Sequence, residues 1–286
     1  MSQTEPKSVV YTPGYRNRQG FFSALASLAK TLILRRDLLW QLFKRDFLAS
    51  YKKSFLGLIW IVLYPIFGIV SWVFLNVAGV LKPGAVDVPY PVYVLFGMTS
   101  WALFLSFYDT SVRTLNSSKE LLMQVSFPRE ILLFKQVAQS LANFVAAMLV
   151  NLAVSAAFGV FPSWKIVFLP FAILPLFFLA AAIGLVISLV AVVATDIENF
   201  IRSGMGLLLW AMPVVYTDQV ESPIVRTIFT YNPLTYLICS VRDLILFGRL
   251  YEPEYYFVLG FASFILFLLA FRLFYISEEM VIERVM

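Results

Sequence analysis

Residues 35–65 read RRDLLWQLFKRDFLASYKKSFLGLIWIVLYP. Basic side chains at Arg35, Arg36, Lys44, Arg45, Lys52 and Lys53 run directly into 28 uncharged residues, Ser54 to Leu81. A basic segment that stops at an apolar stretch long enough to cross about 30 Å of hydrocarbon marks a membrane insertion point with its cytoplasmic side labelled. It stands too far from the N-terminus to be a secretory signal. The first 20 residues are polar, with Pro6, Pro13 and Gly14, and hold no apolar core for a signal peptidase. The chain is therefore expected to start in the cytoplasm and stay in the membrane.

Composition narrows the chemistry. Of 286 residues, 60% are hydrophobic and 14% charged, well below the roughly one quarter of a soluble domain. Histidine is absent and Cys239 is the single cysteine. That argues against zinc or haem ligation and against Ser/His or Cys/His catalysis, so neither a catalytic residue nor a metal ligand is expected. Nucleic-acid binding would need a basic face on a soluble fold, and none is visible.

Uncharged windows cover 54–81, 88–108, 136–164 and 166–195, with shorter ones at 203–217 and 255–271. They predict an all-α polytopic membrane protein with six transmembrane helices, near 55–80, 91–112, 134–160, 166–194, 200–217 and 255–275. With both termini inside, 17 Lys/Arg fall on cytoplasmic pieces and 5 on outer loops (Lys82, Lys165, Arg226, Arg242, Arg249). The organisation predicted is a cytoplasmic N-terminus at 1–53, a transmembrane domain at 54–276 and a cytoplasmic tail at 277–286.

Two further regions fit neither loop nor span. Between 218 and 253 two apolar stretches, 223–231 and 234–248, are split by Asn232-Pro233 and interrupted by Arg242-Asp243. Both flanking spans put the ends of this region outside, which predicts two outer re-entrant half-helices; a surface-lying amphipathic pair is the alternative. Before the first span, Phe21, Leu25, Leu28 and Leu32 share one helical face, and Asp37 is a plausible N-cap for a second helix through Lys53. An apolar stripe beside dense Lys/Arg predicts an amphipathic N-terminal helix in the cytoplasmic interface. Simple positive-inside signalling is the plainer reading.

No GxxxxGK[ST] occurs, and none of the 13 glycines precedes a lysine, so ATP hydrolysis by that route is absent. Asp109 lies four residues before Arg113, which predicts a local ion pair. The middles of the spans hold no isolated acid, unlike an ion-driven transporter, so energy is expected from a partner. On the inner loop at 117–131, Ser126-Phe127-Pro128-Arg129-Glu130 breaks one short helix and starts another. Phe127 among charges suits docking into a partner's groove, and equally a turn packed on itself. Along the first span Trp60, Tyr64, Phe67, Ser71 and Phe74 fall near one line at about 100° per residue. In the fifth, Gly206, Trp210, Pro213 and Thr217 do likewise. Such faces can stack on sugar rings, or can pack helix on helix.

Several of these segments together resemble the membrane permease subunits of bacterial ATP-binding-cassette polysaccharide exporters, which serve O-antigen, teichoic acid and capsule export. They are RDFLASYKKSFLGLIWIVLYP at 45–65, PYPVYVLFGMTSW at 89–101, SFPREIL at 126–132, TDIENFI at 195–201 and YNPLTYLICSVRDLILFG at 231–248. The resemblance implies a homodimer in the bacterial inner membrane, joined to two copies of a separate P-loop ATPase. ATP and Mg would sit on that ATPase, with no cofactor in this chain. It also implies an N-terminal interface helix, a coupling element at Ser126 to Glu130, and outer gating helices that contain Asn232, Pro233, Arg242 and Asp243. A lipid-linked polysaccharide would pass between two copies along Trp60, Tyr64, Phe67, Ser71, Phe74, Trp210 and Thr217. Its pyrophosphate end would be drawn in by Arg35, Arg36, Lys44, Arg45, Lys52 and Lys53. Rival readings are a related permease for drugs or lipids, and a polytopic glycosyl- or acyltransferase. The second of these would want clustered carboxylates or His in an interfacial loop.

Overall fold

The computed structural model describes residues 33–52, 59–80, 84–113, 129–191, 194–217 and 222–283. The Phe21–Leu32 stripe, Lys53 and the turn residues Ser126, Phe127 and Pro128 lie outside the described residues. Among those described, every regular element is helical. In chain order they are α1 Arg36–Lys52, α2 Ile59–Val77, α3 Tyr90–Val112, α4 Arg129–Ala157, a 3-10 turn Trp164–Phe168, α5 Leu169–Ala172 and α6 Leu174–Ala191. Then follow α7 Thr195–Leu208, a 3-10 turn Leu209–Ala211, α8 Pro223–Tyr231, α9 Pro233–Leu246 and α10 Pro253–Glu283.

Four of these are long and apolar enough to cross a membrane: Tyr90–Val112, Leu133–Ala157, Trp164–Ala191 and Pro253–Ser277. At about 1.5 Å per residue even the shortest, 23 residues, reaches about 34 Å. This is a multi-pass membrane protein. The expected first and fifth spans are shorter here: α2 is 19 residues long, and α7 is 14 followed by a three-residue 3-10 turn. α3 is the central helix, packed against α2, α4, α6 and α9. Its stretch from Val92 to Gly97 is entirely buried.

Helix ends follow local chemistry. α4 stops where Gly159 takes a left-handed φ of 73°, which lets Val160 N–H bond back to Ser155 C=O at 2.9 Å. α8, α9 and α10 each begin on a proline, whose fixed φ and missing N–H suit the first helical position. Asn232 caps α9 by accepting from Leu234 N–H at 3.0 Å.

Three local expectations are corrected. Asp37 is not the N-cap: α1 begins at Arg36, and Leu39 N–H already bonds Arg35 C=O, so Asp37 sits in the first turn, where its charge still favours the helix dipole. Asp109 pairs with Arg202 of α7 at 3.0 Å and not with Arg113, because the fold brings a cation from 93 residues away closer than the next helical turn offers one. The helix expected over 200–217, α7 with its 3-10 turn, stops at Ala211, six residues short of Thr217. Met212 precedes Pro213, and proline's ring drives the residue before it into an extended conformation, here φ −145° and ψ 148°.

The chain from α7 on to Val215 runs antiparallel to α3, with Tyr90 beside Val215 at one end and Asp109 beside Arg202 at the other. The ion pairs Asp46–Lys135 and Asp109–Arg202 gather at the end carrying α1, and the short helices α8 and α9 occupy the opposite end.

Candidate functional site

At the α1 end, Arg35, Arg36, Lys44 and Arg45 are exposed, and Lys52 closes the helix. The other side of α1 is fastened to α4. Asp46 Oδ2 accepts from Lys135 Nζ at 2.6 Å, and Asp46 Oδ1 accepts from Arg45 Nε at 2.8 Å. Partial burial pushes the Asp46 carboxyl up, but the hydrogen bonds and charges of Arg45 and Lys135 outweigh it and hold the group below the usual carboxylate value. Trp40, Phe43 and Phe47 stack in series along this helix, with ring centroids 5.5 and 5.7 Å apart.

The five expected lining residues of the first span all fall on α2. Phe67, Ser71 and Phe74 are exposed and Trp60 is partly covered. Trp72, about a third of a turn round the helix, meets Trp210 edge to face at 5.2 Å. That contact joins α2 to the 3-10 turn after α7 through a residue the aromatic line did not include. Trp210 itself is half-exposed. Pro213 and Thr217 stand beyond the helix end, so they do not continue its face. Thr217 lies against Gly84, whose φ of 88° favours glycine and where an added Cβ would run into the Thr217 hydroxyl.

The break after Ala211 gathers a set of polar contacts inside the bundle. A helix end buried inside protein leaves carbonyls that water cannot serve, so protein groups must. Asn232 Nδ2 donates to Ala211 O at 2.9 Å, and Tyr90 OH donates to Val215 O at 2.8 Å. Tyr93 OH lies 3.3 Å from both Pro213 O and Tyr216 O. Arg242 Nη1 donates to Pro213 O at 2.7 Å, and Cys239 Sγ approaches the same oxygen at 3.6 Å. Tyr216 OH turns back to the carbonyl of Trp210. Every donor but Tyr216 comes from α3 or from α9 and its cap. Gly97 of α3 makes room, since a Cβ there would sit 2.7 Å from Val214 O.

Arg242 and Asp243 are both buried, at 3% and 6% exposure, and pair with each other at 2.7 Å. The guanidinium carbon stands 4.0 Å above the Tyr93 ring. A charged pair this deep in an apolar bundle marks a functional candidate. Asn232 and Pro233 form the joint between α8 and α9, and α9 runs antiparallel along the first turns of α10, with Tyr236 stacked on Tyr255 at 5.0 Å and Ser240 bonded to Tyr251. Of the coupling residues, Arg129 and Glu130 are the first two residues of α4. Among the described residues no group of three or more His, Cys, Asp or Glu could hold a metal ion.

Sequence reasoning missed Tyr90, Tyr93, Gly97 and Trp72. The signal was present in the first three: two tyrosines and a glycine on 90–97, one face of an otherwise apolar span.

A family model described as ABC-2 type transporter matches residues 37–246. The chain is 25% identical over 261 residues to the O-antigen export system permease protein RfbA of Myxococcus xanthus, covering 90% of this chain and 99% of that protein. It is 26% identical over 241 residues to a protein of the same description from Klebsiella pneumoniae, covering 83% of this chain and 91% of that one.

Proposed function

The chain belongs to the ABC-2 type transporter membrane family, and from that premise we propose that it is the transmembrane subunit of an ATP-driven exporter that moves O-antigen polysaccharide from the cytoplasm across the inner membrane. The observation that carries this reading is the near end-to-end similarity to O-antigen export permeases of two genera. ATP hydrolysis belongs to a separate subunit of such a system, and ATP and Mg bind there.

The finer reading is a homodimer of six-span subunits joined to two copies of a P-loop ATPase. Both termini are cytoplasmic, with 1–53 as N-terminal segment, 54–276 as membrane domain and 277–286 as tail. α2 serves as the first span, and α7 with its 3-10 turn as the fifth. α8 and α9 form the re-entrant pair; the antiparallel run of α9 beside α10 supports this. A path between two copies is supported by the uncovered side of α2, where Phe67, Ser71 and Phe74 are exposed. A sugar ring, apolar on one face and hydroxylated at its edge, can stack there and move on, because aromatic stacking tolerates many partners. The basic residues of α1 would attract the pyrophosphate of a lipid-linked glycan, and Phe127 to Glu130 would take the stroke of the ATPase.

The test is deletion of the gene in its own host, with surface polysaccharide resolved on gels and the lipid-linked glycan measured in the inner membrane. Loss from the surface with accumulation inside is expected. Unchanged surface O-antigen in the deletion strain would overturn the reading.

A further inference from the structure

We infer that Arg242 is a positioning residue for export: it holds the carbonyl of Pro213 and thereby fixes where the 3-10 turn after α7 ends and where Trp210 stands. The inference rests on the export reading above but concerns how the residue acts, since Arg242 faces no path. It is buried, and Asp243 at 2.7 Å matches its charge, so the pair offers an anionic substrate no net attraction.

What the guanidinium does offer is a fixed fork. Nε is spent on Asp243, the plane lies over Tyr93, and Nη1 is aimed at Pro213 O at 2.7 Å, the shortest of the three contacts on that oxygen. Restraint then passes along the break. Tyr216 bonds back to Trp210, Asn232 holds Ala211, and Trp210 rests on Trp72 of α2. Tyr216 also stacks on Phe229 of α8 at 5.5 Å. The outer helices α8 and α9, the end of α7 and the Trp72–Trp210 contact are therefore one mechanical body. A movement of α9 displaces an aromatic residue on the proposed path without touching it. Lysine cannot replace this arrangement, because a single ammonium point charge cannot hold the plane over Tyr93 while serving Asp243 and Pro213 together.

The experiment uses the full exporter, assembled with its ATPase subunit in lipid nanodiscs and labelled with 5-fluorotryptophan. Resonances of Trp72, Trp210 and Trp40 are assigned with single Trp→Phe variants. In Arg242→Met the Trp210 and Trp72 resonances should shift or broaden while Trp40, on α1, stays in place. Glycan moved per ATP should fall about ten-fold, as loss of a buried charge-assisted bond implies. Arg242→Lys should fall between. Arg226→Met, which removes an exposed arginine from α8, should change neither reading. A wild-type Trp210 resonance in Arg242→Met, or wild-type transport per ATP, overturns the inference. Should Arg242→Met fail to assemble, Arg242→Lys decides: it keeps a positive charge beside Asp243 but loses the planar fork, and a wild-type Trp210 resonance there also overturns it. If the unaltered complex moves no glycan, the export reading fails, and the fluorine resonances alone still test the positioning.

Discussion

Two glycines on neighbouring helices should respond to the same substitution with opposite signs. At Gly97 an added Cβ would stand 2.7 Å from Val214 O and 3.2 Å from Val214 Cγ1, whereas at Gly68 nothing lies within 4 Å. A carbon–oxygen contact is ordinary from about 3.3 Å, so the Val214 carbonyl must retreat by about 0.6 Å. Its neighbours cannot follow without cost. Pro213 O and Val215 O are held at 2.7 and 2.8 Å by Arg242 and Tyr90, and the same displacement takes those bonds to the edge of useful length. Weakening two bonds at about 1 kcal/mol each, less the ~0.5–1 kcal/mol that alanine returns as the better helix former, leaves Gly97→Ala destabilising by about 1–1.5 kcal/mol. At roughly 2–4 °C per kcal/mol this is a clear downward shift in the melting temperature of the detergent-solubilised complex, followed by size-exclusion of heated samples. Gly68→Ala has only the propensity term and should melt at or slightly above the unaltered protein. If Gly97→Ala melts as high as Gly68→Ala, the close approach of α3 to the broken end of α7 is wrong.

Other perturbations address the remaining contacts. Asp46→Asn should loosen α1 from α4 by about 1 kcal/mol, read as faster amide exchange along α1, and the charge swap Asp46→Lys with Lys135→Asp should recover part of it. Because the folded Asp46 value is depressed, the latch contributes fully above the ordinary carboxylate value of 3.8 and is lost only as pH falls through the lower folded one. Exchange from α1 that accelerates already between about pH 6 and 5 would contradict that sign. Phe127→Ala with Arg129→Glu should release or uncouple the ATPase, and unchanged association and export would remove the coupling role. Trp60→Ala with Tyr64→Ala should slow polymer export with assembly intact; normal surface glycan would refute the lining role.

What could be read from the chain was what depends on neighbours in sequence. Uncharged runs located α3, α4, α6 and α10, because excluding charge is the condition for crossing hydrocarbon. Asn232-Pro233 marked the joint between α8 and α9, because a capping side chain followed by proline starts a helix wherever it occurs. The errors came from extending local rules over distance. Asp109 was given to Arg113, four residues on, while its partner Arg202 lies 93 residues away. The aromatic line of the fifth helix was carried at a constant angle through Met212-Pro213, although the proline itself announced the stop. Burial of Arg242 had no local signature. Its neighbour Asp243 made a pair visible, but nothing in the sequence tied that pair to a carbonyl 29 residues earlier.

That long-range tie explains a helix that otherwise has no reason to be where it is. α9 is 14 residues long, too short to span, yet Leu234 to Leu246 are all buried. Inside a bundle, an unserved carbonyl costs more than at a wet surface, and the chain beyond α7 presents carbonyls at Ala211, Pro213, Val215 and Tyr216 that take donors. α3 reaches three of them through Tyr90 and Tyr93. Pro213 takes further donors from α9, and Ala211 is served from its cap, through Cys239, Arg242 and Asn232. The break in α7 and the insertion of α9 are thus a single structural decision. Removing the donors should not leave α7 intact with α9 displaced, because the proline prevents α7 from continuing as a helix. Variation at Asn232 or Arg242 should therefore disturb α7 more than α10, although both residues lie nearer to α10 in sequence. Amide exchange resolved along the two helices, in Asn232→Ala, distinguishes this order from a defect confined to the α9–α10 hairpin.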